Sequence, residues 1–227
     1  MFEHSFIEFP KLGTIEIEGK RHYTTPSGAV YPSITTVLSA FESEGLQRWR
    51  ARVGEAEANK VSQVAARRGS NVHDICEKYL RNTENPTKDH MPDVAAVFSL
   101  MRKSIDRIGK IYAIEQAMYS DEYGIAGRCD LVADYRGQLS VIDFKTSNSD
   151  IKSTPDKVRK YFLQCAAYGA MFSERTGEKI DHGVLIVGSL DYGLTTYTSE
   201  LHKYSHDLKE AIAAYKEKSI CVKTSPL

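Results

Sequence analysis

Gly127-Arg128-Cys129-Asp130-Leu131-Val132-Ala133-Asp134-Tyr135, then Arg136-Gly137, then Gln138-Leu139-Ser140-Val141-Ile142-Asp143-Phe144-Lys145-Thr146-Ser147, is the stretch on which the fold turns. It reads as two apolar β-strands joined by a two-residue link, and glycine in such a link is a hairpin signal. With Arg136 and Gly137 as the central turn residues, Asp130 falls opposite Asp143. Opposed side chains share a sheet face, with Cβ atoms about 4.5–5.5 Å apart. Lys145, two residues beyond Asp143, is expected on that same face. Two carboxylates side by side repel one another unless positive charge lies between them. The lysine supplies some, and the spacing also suits a hydrated Mg²⁺. The D/E-x-K pattern recurs at Glu18-Gly19-Lys20 and Asp150-Ile151-Lys152, where a solvated charged edge accounts for it. The central instance is set apart by its second aspartate, its register and strand character on both sides.

The preceding segment extends the pattern. Residues 111–120 read as a strand ending in the turn Asp121-Glu122-Tyr123-Gly124. With Glu122 and Tyr123 at the turn centre, Glu115 falls opposite Asp130. Glu115, Asp130 and Asp143 are then expected as a row across three neighbouring strands.

The 227 residues are 41% apolar and 26% charged, enough core for one large domain or a domain with an added subdomain. The formal net charge is zero. Any nucleic-acid contact must therefore come from local clusters, not a global basic field. No apolar run approaches the ~20 residues of a membrane span. Met1-Phe2-Glu3-His4 has neither the basic start of a signal peptide nor the Arg-rich character of a transit peptide, so a cytoplasmic protein is expected. Cys76, Cys129, Cys165 and Cys221 are far apart, without zinc or iron–sulfur spacing, and are expected as reduced core residues.

In chain order, residues 13–31 suggest a hairpin turning at Gly19-Lys20, and Ser33 caps a helix reaching about Phe41. A second helix is expected from Leu46 to about Ala58. Residues 46–68 carry Arg48, Arg50, Arg52, Lys60, Arg67 and Arg68 against Glu55 and Glu57. This cluster is either a solvated helix face or a phosphate-contacting surface. A longer helix from Val61 to Leu80 has the core stripe Val61, Val64, Ala65, Val72, Ile75, Cys76 and Tyr79. Gly69 within it signals close packing or a break. His73 and Glu77 share another face, as a surface pair or as a ligand and its neighbour. A polar loop at 81–89 leads to a helix from Asp93 to about Ile108, burying Val94, Val97, Phe98 and Met101.

After the central hairpin, Pro155 suits the first turn of a helix reaching about Glu174 and burying Val158, Phe162, Cys165, Gly169 and Phe172. Lys152, Lys157, Arg159 and Lys160 make its start basic. Tyr161, Gln164 and Tyr168 lie beside the buried stripe, and a Gln/Tyr pair one turn apart is ordinarily a polar helix rim. Val184–Val187 reads as a buried strand, Thr195–Ser199 as an edge strand and Tyr204–Lys218 as the last helix.

Taken together, these pieces resemble the PD-(D/E)XK nuclease superfamily, and within it the RecB-type branch that includes mitochondrial and phage exonucleases. The matching residues are Arg68-Gly69-Ser70-Asn71-Val72-His73 with Glu77 following, Glu115, Gly127-x-x-Asp130, Asp143-x-Lys145 and Gln164-x-x-x-Tyr168. Tyr31-Pro32-Ser33-Ile34-Thr35-Thr36-Val37-Leu38 resembles the branch's opening segment. The likeness covers roughly residues 30–190.

The resemblance implies an α/β (α+β) restriction-endonuclease-like core, a mixed central sheet flanked by helices. Residues 1–60 would form an N-terminal hairpin and helical cap, and 61–227 the nuclease core. It implies one or two Mg²⁺ or Mn²⁺ ions held by His73, Asp130 and Asp143, with Glu115 and Glu77 as further candidates, and no iron–sulfur cluster. Asp130, Asp143, Lys145, Gln164 and Tyr168 would be catalytic. Ser33, Thr35, Thr36, Arg48, Trp49, Arg50, Arg68, Thr146, Ser147 and Lys157 would contact DNA. Tyr31 and Trp49 would stack on bases or simply pack. The expected activity is a DNA exonuclease on single-stranded ends in replication, recombination or repair, alongside replication or recombination proteins. A structure-selective or restriction-like endonuclease is the alternative, and an inactive DNA-binding member the third reading. The intact Asp130, Asp143 and Lys145 argue against the third.

Overall fold

The protein is described by a computed structural model covering residues 1–40 and 44–224. Two sheets are present among them. β1 (Gly13–Ile17), β2 (Lys20–Thr24) and β3 (Val30–Pro32) form a small antiparallel sheet. The expected hairpin therefore has a third strand. Its turn is Glu18-Gly19, both at positive φ (52° and 69°), and Lys20 already belongs to β2.

The central sheet has the order β4 (Ile108–Ser120), β5 (Ile125–Tyr135), β6 (Gln138–Thr146), β7 (His182–Ser189), β8 (Gly193–Glu200). All neighbours are antiparallel except β6 and β7, which are joined by the crossover helix α5 (Pro155–Thr176). This is the expected mixed sheet. Residues 3–7 run along the outer edge of β4, with Ser5 N–H donating to Ile111 O at 2.8 Å and Ile7 N–H to Tyr112 O at 3.0 Å.

Helices cover both faces. α3 (Glu55–Leu80) and α4 (Pro92–Ile105) bury Val72, Ile75, Val97 and Met101 against Leu131, Ile142, Phe144 and Ile186. On the other face α1 (Ile34–Ser39), α5 and α6 (Ser205–Thr224) bury Val37, Phe162, Phe172 and Ile212 against Val132, Val141 and Leu185. Alternation along β5 and β6 sends successive apolar residues to opposite layers. α5 ends at Gly177, whose φ of 78° provides the left-handed cap.

Several boundaries differ from expectation. α1 stops at Ser39, and Phe41 lies outside the described residues. α2 runs Glu44–Val53, not to Ala58, because Gly54 at φ 85° separates it from α3. Ala58 and Lys60 therefore belong to α3. Gly69 breaks nothing, since α3 is continuous around it. Val61 and Val64 are not core: they are 39% and 54% exposed, and between Glu55 and Gln63 only Ala58 is buried. The amphipathic stripe is real only where α3 meets the sheet. Ile108 opens β4 and does not end α4. Cys76, Cys129 and Cys165 are buried free thiols, while the Cys221 side chain lies outside the described set. No described helix is long and apolar enough to cross a membrane.

Candidate active site

The central hairpin has the expected register, with Arg136 and Gly137 at positive φ (52° and 83°) and pairs running from Tyr135↔Gln138 to Leu131↔Ile142. The next pair, Asp130 with Asp143, does not join that ladder. The Phe144 N–H donates instead to Asp130 Oδ2 at 2.9 Å, so a side-chain carboxylate stands where a backbone carbonyl is usual. The two acids are therefore not the simple side-by-side pair the register suggested. Asp130 sits in the seam where β5 and β6 part, and Asp143 turns to Lys145. A desolvated carboxylate needs donors, and each acid finds its own.

β4 supplies the third acid. Its pairs Ile114↔Leu131 and Gln116↔Cys129 keep the expected register, and Glu115 falls between them at the level of Asp130. Glu115 has φ 48°, a left-handed conformation inside a strand. Such a residue costs on the order of 1–3 kcal/mol and persists only where its surroundings impose it.

His73 on α3 completes the group. Its Nε2–H donates to Phe144 O at 2.8 Å, which leaves Nδ1 facing the acids, 3.6 Å from Asp130 Oδ2 and 3.8 Å from Glu115 Oε1. One ligand atom from each of His73, Glu115 and Asp130 lies within 4.8 Å of the others. Burial pulls the His73 pKa down, but the Asp130 charge and the Glu115 carboxylate outweigh it and raise it to about 9. The acids thus demand a positive charge at this point, from a proton or from a metal ion.

Asp143 is 1% exposed. Lys145 Nζ donates to its Oδ1 at 2.6 Å and lies 2.5 Å from Oδ2, so one ammonium spans both oxygens. Burial, reinforced by the Asp130 charge and opposed by Lys145, raises the Asp143 pKa to about 6. Burial works against the Lys145 ammonium, but Asp143 and Asp130 raise its pKa above the ordinary lysine value.

α5 faces this group. Gln164 Nε2–H donates to the Tyr168 hydroxyl at 3.0 Å, and burial pushes the pKa of Tyr168 well up. Tyr168 is 2% exposed and packs on Gly127, where a Cβ would stand 2.8 Å from Tyr168 Cε1. The glycine three residues before Asp130 thus makes room for the tyrosine. Tyr161, noted in the sequence only as lying beside the core stripe, places its ring centroid 5.0 Å from Lys145 Nζ.

The other predicted positions are more dispersed. Glu77 pairs with Arg81 at 2.9 Å and is not in the three-residue group. Arg68 donates to Asn148 Oδ1 at 2.7 Å and lies 3.7 Å from Asp93, tying α3 to the loop after β6. No sequence pattern marked Asn148. Thr146 is half-buried below Gly69, and Ser147 is buried with its hydroxyl donating to Ser149 O at 2.8 Å. Lys157 is half-buried, and burial with the Lys145 charge holds its pKa below the ordinary value. Ser33 and Thr36 are buried in the α1 cap, with Thr36 N–H donating to Ser33 Oγ at 3.0 Å, while Thr35 is exposed. Arg48 is exposed and Trp49 half-buried, while Arg50 donates to Glu55 at 2.5 Å and to Asn59 at 2.6 Å.

A mixed five-stranded sheet whose third strand carries D-x-K, with a further aspartate where its neighbour splays away, is the core of a restriction-endonuclease-like fold. The chain belongs to the PD-(D/E)XK nuclease superfamily, whose family profile matches residues 99–219. Mitochondrial genome maintenance exonuclease 1 of Mus musculus is 29% identical over 148 residues, 60% of this chain and 43% of that protein. The Homo sapiens protein of the same name is 27% identical over 176 residues, 71% of this chain and 50% of that one. The chain spans about half the length of these curated relatives. The crystal structure of SSO0001 aligns over 85% of this chain and 86% of that chain at 17% identity, with a TM-score of 0.37, too low to add to the fold described above.

Proposed function

We propose that this protein is a metal-dependent deoxyribonuclease that hydrolyses phosphodiester bonds from single-stranded DNA ends. The observation that carries the reading is the convergence of His73, Glu115 and Asp130 on one point beside the Asp143–Lys145 pair. Superfamily membership and the exonuclease name borne by the relatives support it.

The residues fit a divalent cation. His73 offers Nδ1 because Nε2–H is committed to Phe144 O, a fixed tautomer typical of metal-bound histidine. Asp130 and Glu115 offer charged oxygens, and Asp143, paired with Lys145, adds a buried carboxylate beside them. One imidazole among carboxylates suits Mn²⁺ as well as Mg²⁺. When bound, such an ion lowers the pKa of water and offsets charge at the scissile phosphate. Lys145 stays protonated and places its charge where negative charge builds on phosphorus-bound oxygen. Tyr168 also stays protonated, so with Gln164 it can orient a phosphodiester by hydrogen bonding. Lys157 and Arg68 flank this group as backbone-phosphate contacts, with Arg48, Arg50, Trp49, Thr35 and Thr146 further along the strand's path. The described residues from β1 to α2 serve as a cap that admits a free end. Ser33, Thr36 and Ser147 act by shaping that cap and the loop after β6, since their hydroxyls are already engaged.

The test is a gel time course of linear and circular single-stranded DNA of equal length, with Mg²⁺ or Mn²⁺. Degradation of the line and survival of the circle is the expected result. Rapid nicking of the circle would move the assignment to a structure-selective endonuclease. If both substrates survive with either ion, the nuclease reading falls.

A further inference from the structure

Among the described residues, two groups contact the Lys145 ammonium directly. One is Asp143, whose two oxygens lie 2.6 and 2.5 Å from Nζ. The other is the face of Tyr161, with its ring centroid 5.0 Å away. Tyr161 follows Lys157 by four residues on α5 and precedes Gln164 by three and Tyr168 by seven. At helical spacing these four side chains form one row along the face turned to the site. Tyr161 is half-buried there, and burial pushes its pKa up to about 12, so its attraction for Lys145 is that of a neutral ring for a cation.

The two grips respond differently to metal. A divalent cation on Asp143 would share that carboxylate's charge and repel the ammonium, loosening the ion pair. The ring offers the cation no anionic oxygen and keeps its hold on the lysine. We propose that Tyr161 is a positioning residue, whose ring face retains the Lys145 ammonium at the end of β6 when a divalent cation occupies Asp143. This rests on the nuclease reading above.

The experiment has two arms. In the first, Tyr161→Leu, Tyr161→Phe and wild type are compared for cleavage of linear single-stranded DNA. A charge placed for the transition state shows in kcat, so Tyr161→Leu should lose roughly tenfold in kcat at unchanged KM. Tyr161→Phe, which keeps the ring, should stay close to wild type. In the second, DNA-free arm, proteins saturated with Mn²⁺ are pulsed with an amine-acetylating reagent, and Lys145 modification is read by mass spectrometry. Tyr161→Leu should raise modification several-fold over wild type and Tyr161→Phe. If Tyr161→Leu does not fold, Tyr161→Met keeps the bulk without the ring and replaces it. Wild-type kcat in Tyr161→Leu, equal losses in the Leu and Phe variants, or unchanged Lys145 modification each overturns the proposal. A wild type that cleaves no DNA overturns the nuclease reading instead, and the labelling arm still decides whether Tyr161 grips Lys145.

Discussion

Raising the pH from 6 to 8 should strengthen Mn²⁺ binding by about a hundredfold, because metal and proton compete for His73. The pKa of His73 is raised to about 9 by Asp130 and Glu115 against the opposing effect of burial. Metal at Nδ1 must displace that proton. Below the pKa, apparent affinity then rises about tenfold per pH unit, or about 2.7 kcal/mol over the two units. A histidine at its ordinary pKa of about 6.5 would give only about fourfold across the same interval. Asp143, raised to about 6, adds a factor of about two if it also binds the ion. Without metal the sign reverses. A histidine pKa raised in the folded state stabilises fully below about pH 6.5, and that stability is lost as pH rises through 9. The metal-free melting temperature should therefore fall over this window. Anaerobic calorimetry with Mn²⁺, in buffers of different ionisation enthalpy, reads affinity and proton release together. Release of about one proton at pH 7 is expected, and far less than one in His73→Ala, which should fold because its side chain is off the core stripe. An affinity gain below about tenfold would refute the raised pKa of His73, and proton release of about one surviving in His73→Ala would refute its Nδ1 as the metal-facing atom.

Three further outcomes are expected. Gly127→Ala puts a Cβ 2.8 Å from Tyr168 Cε1 and 3.1 Å from Ile34 Cγ2, both on buried side chains. Overpacking of this kind costs about 1–3 kcal/mol, which in a chain of this length lowers the melting temperature by roughly 2–12 °C; an unchanged melt would show that the Tyr168 ring yields freely. Asp143→Ala and Lys145→Ala should both abolish cleavage, but calorimetry should find Mn²⁺ affinity lost only in Asp143→Ala, and equal loss in both would sink the division of roles. Glu115→Gly should relieve the left-handed backbone at φ 48°, leaving a melting temperature at least equal to wild type while weakening Mn²⁺ binding; a less stable protein with normal metal affinity would mean that Glu115 is structural.

The sequence was most legible where one local rule had no competitor. Arg136-Gly137 determines a two-residue turn, and alternation then determines which residues face each helix layer, so both registers around β5 could be read from residue identity. Helix boundaries were less legible. Periodicity runs through Val61 and Val64 as it does through Val72 and Ile75, but only the second pair meets the sheet. A pattern records the capacity to be buried, while burial also needs an opposing surface.

The site departs from the strand rules at the residues that carry charge. Extending the ladder by one pair would set Asp130 and Asp143 side by side in a buried place with one lysine between them, and two desolvated carboxylates there repel each other. The chain instead ends the pairing at Leu131↔Ile142, gives the Phe144 N–H to Asp130, gives Lys145 to Asp143, and turns Glu115 into a left-handed conformation beside His73. Each departure directs an oxygen or nitrogen to a place that ordinary strand geometry would not fill. Hydrophobic pairing brings β4, β5 and β6 together, and the electrostatic cost of their acids then opens the seam between β5 and β6. The same repulsion that breaks the ladder would favour a cation in the opening, so on the proposed function a change that let Asp130 rejoin regular pairing would tighten the sheet and weaken the site.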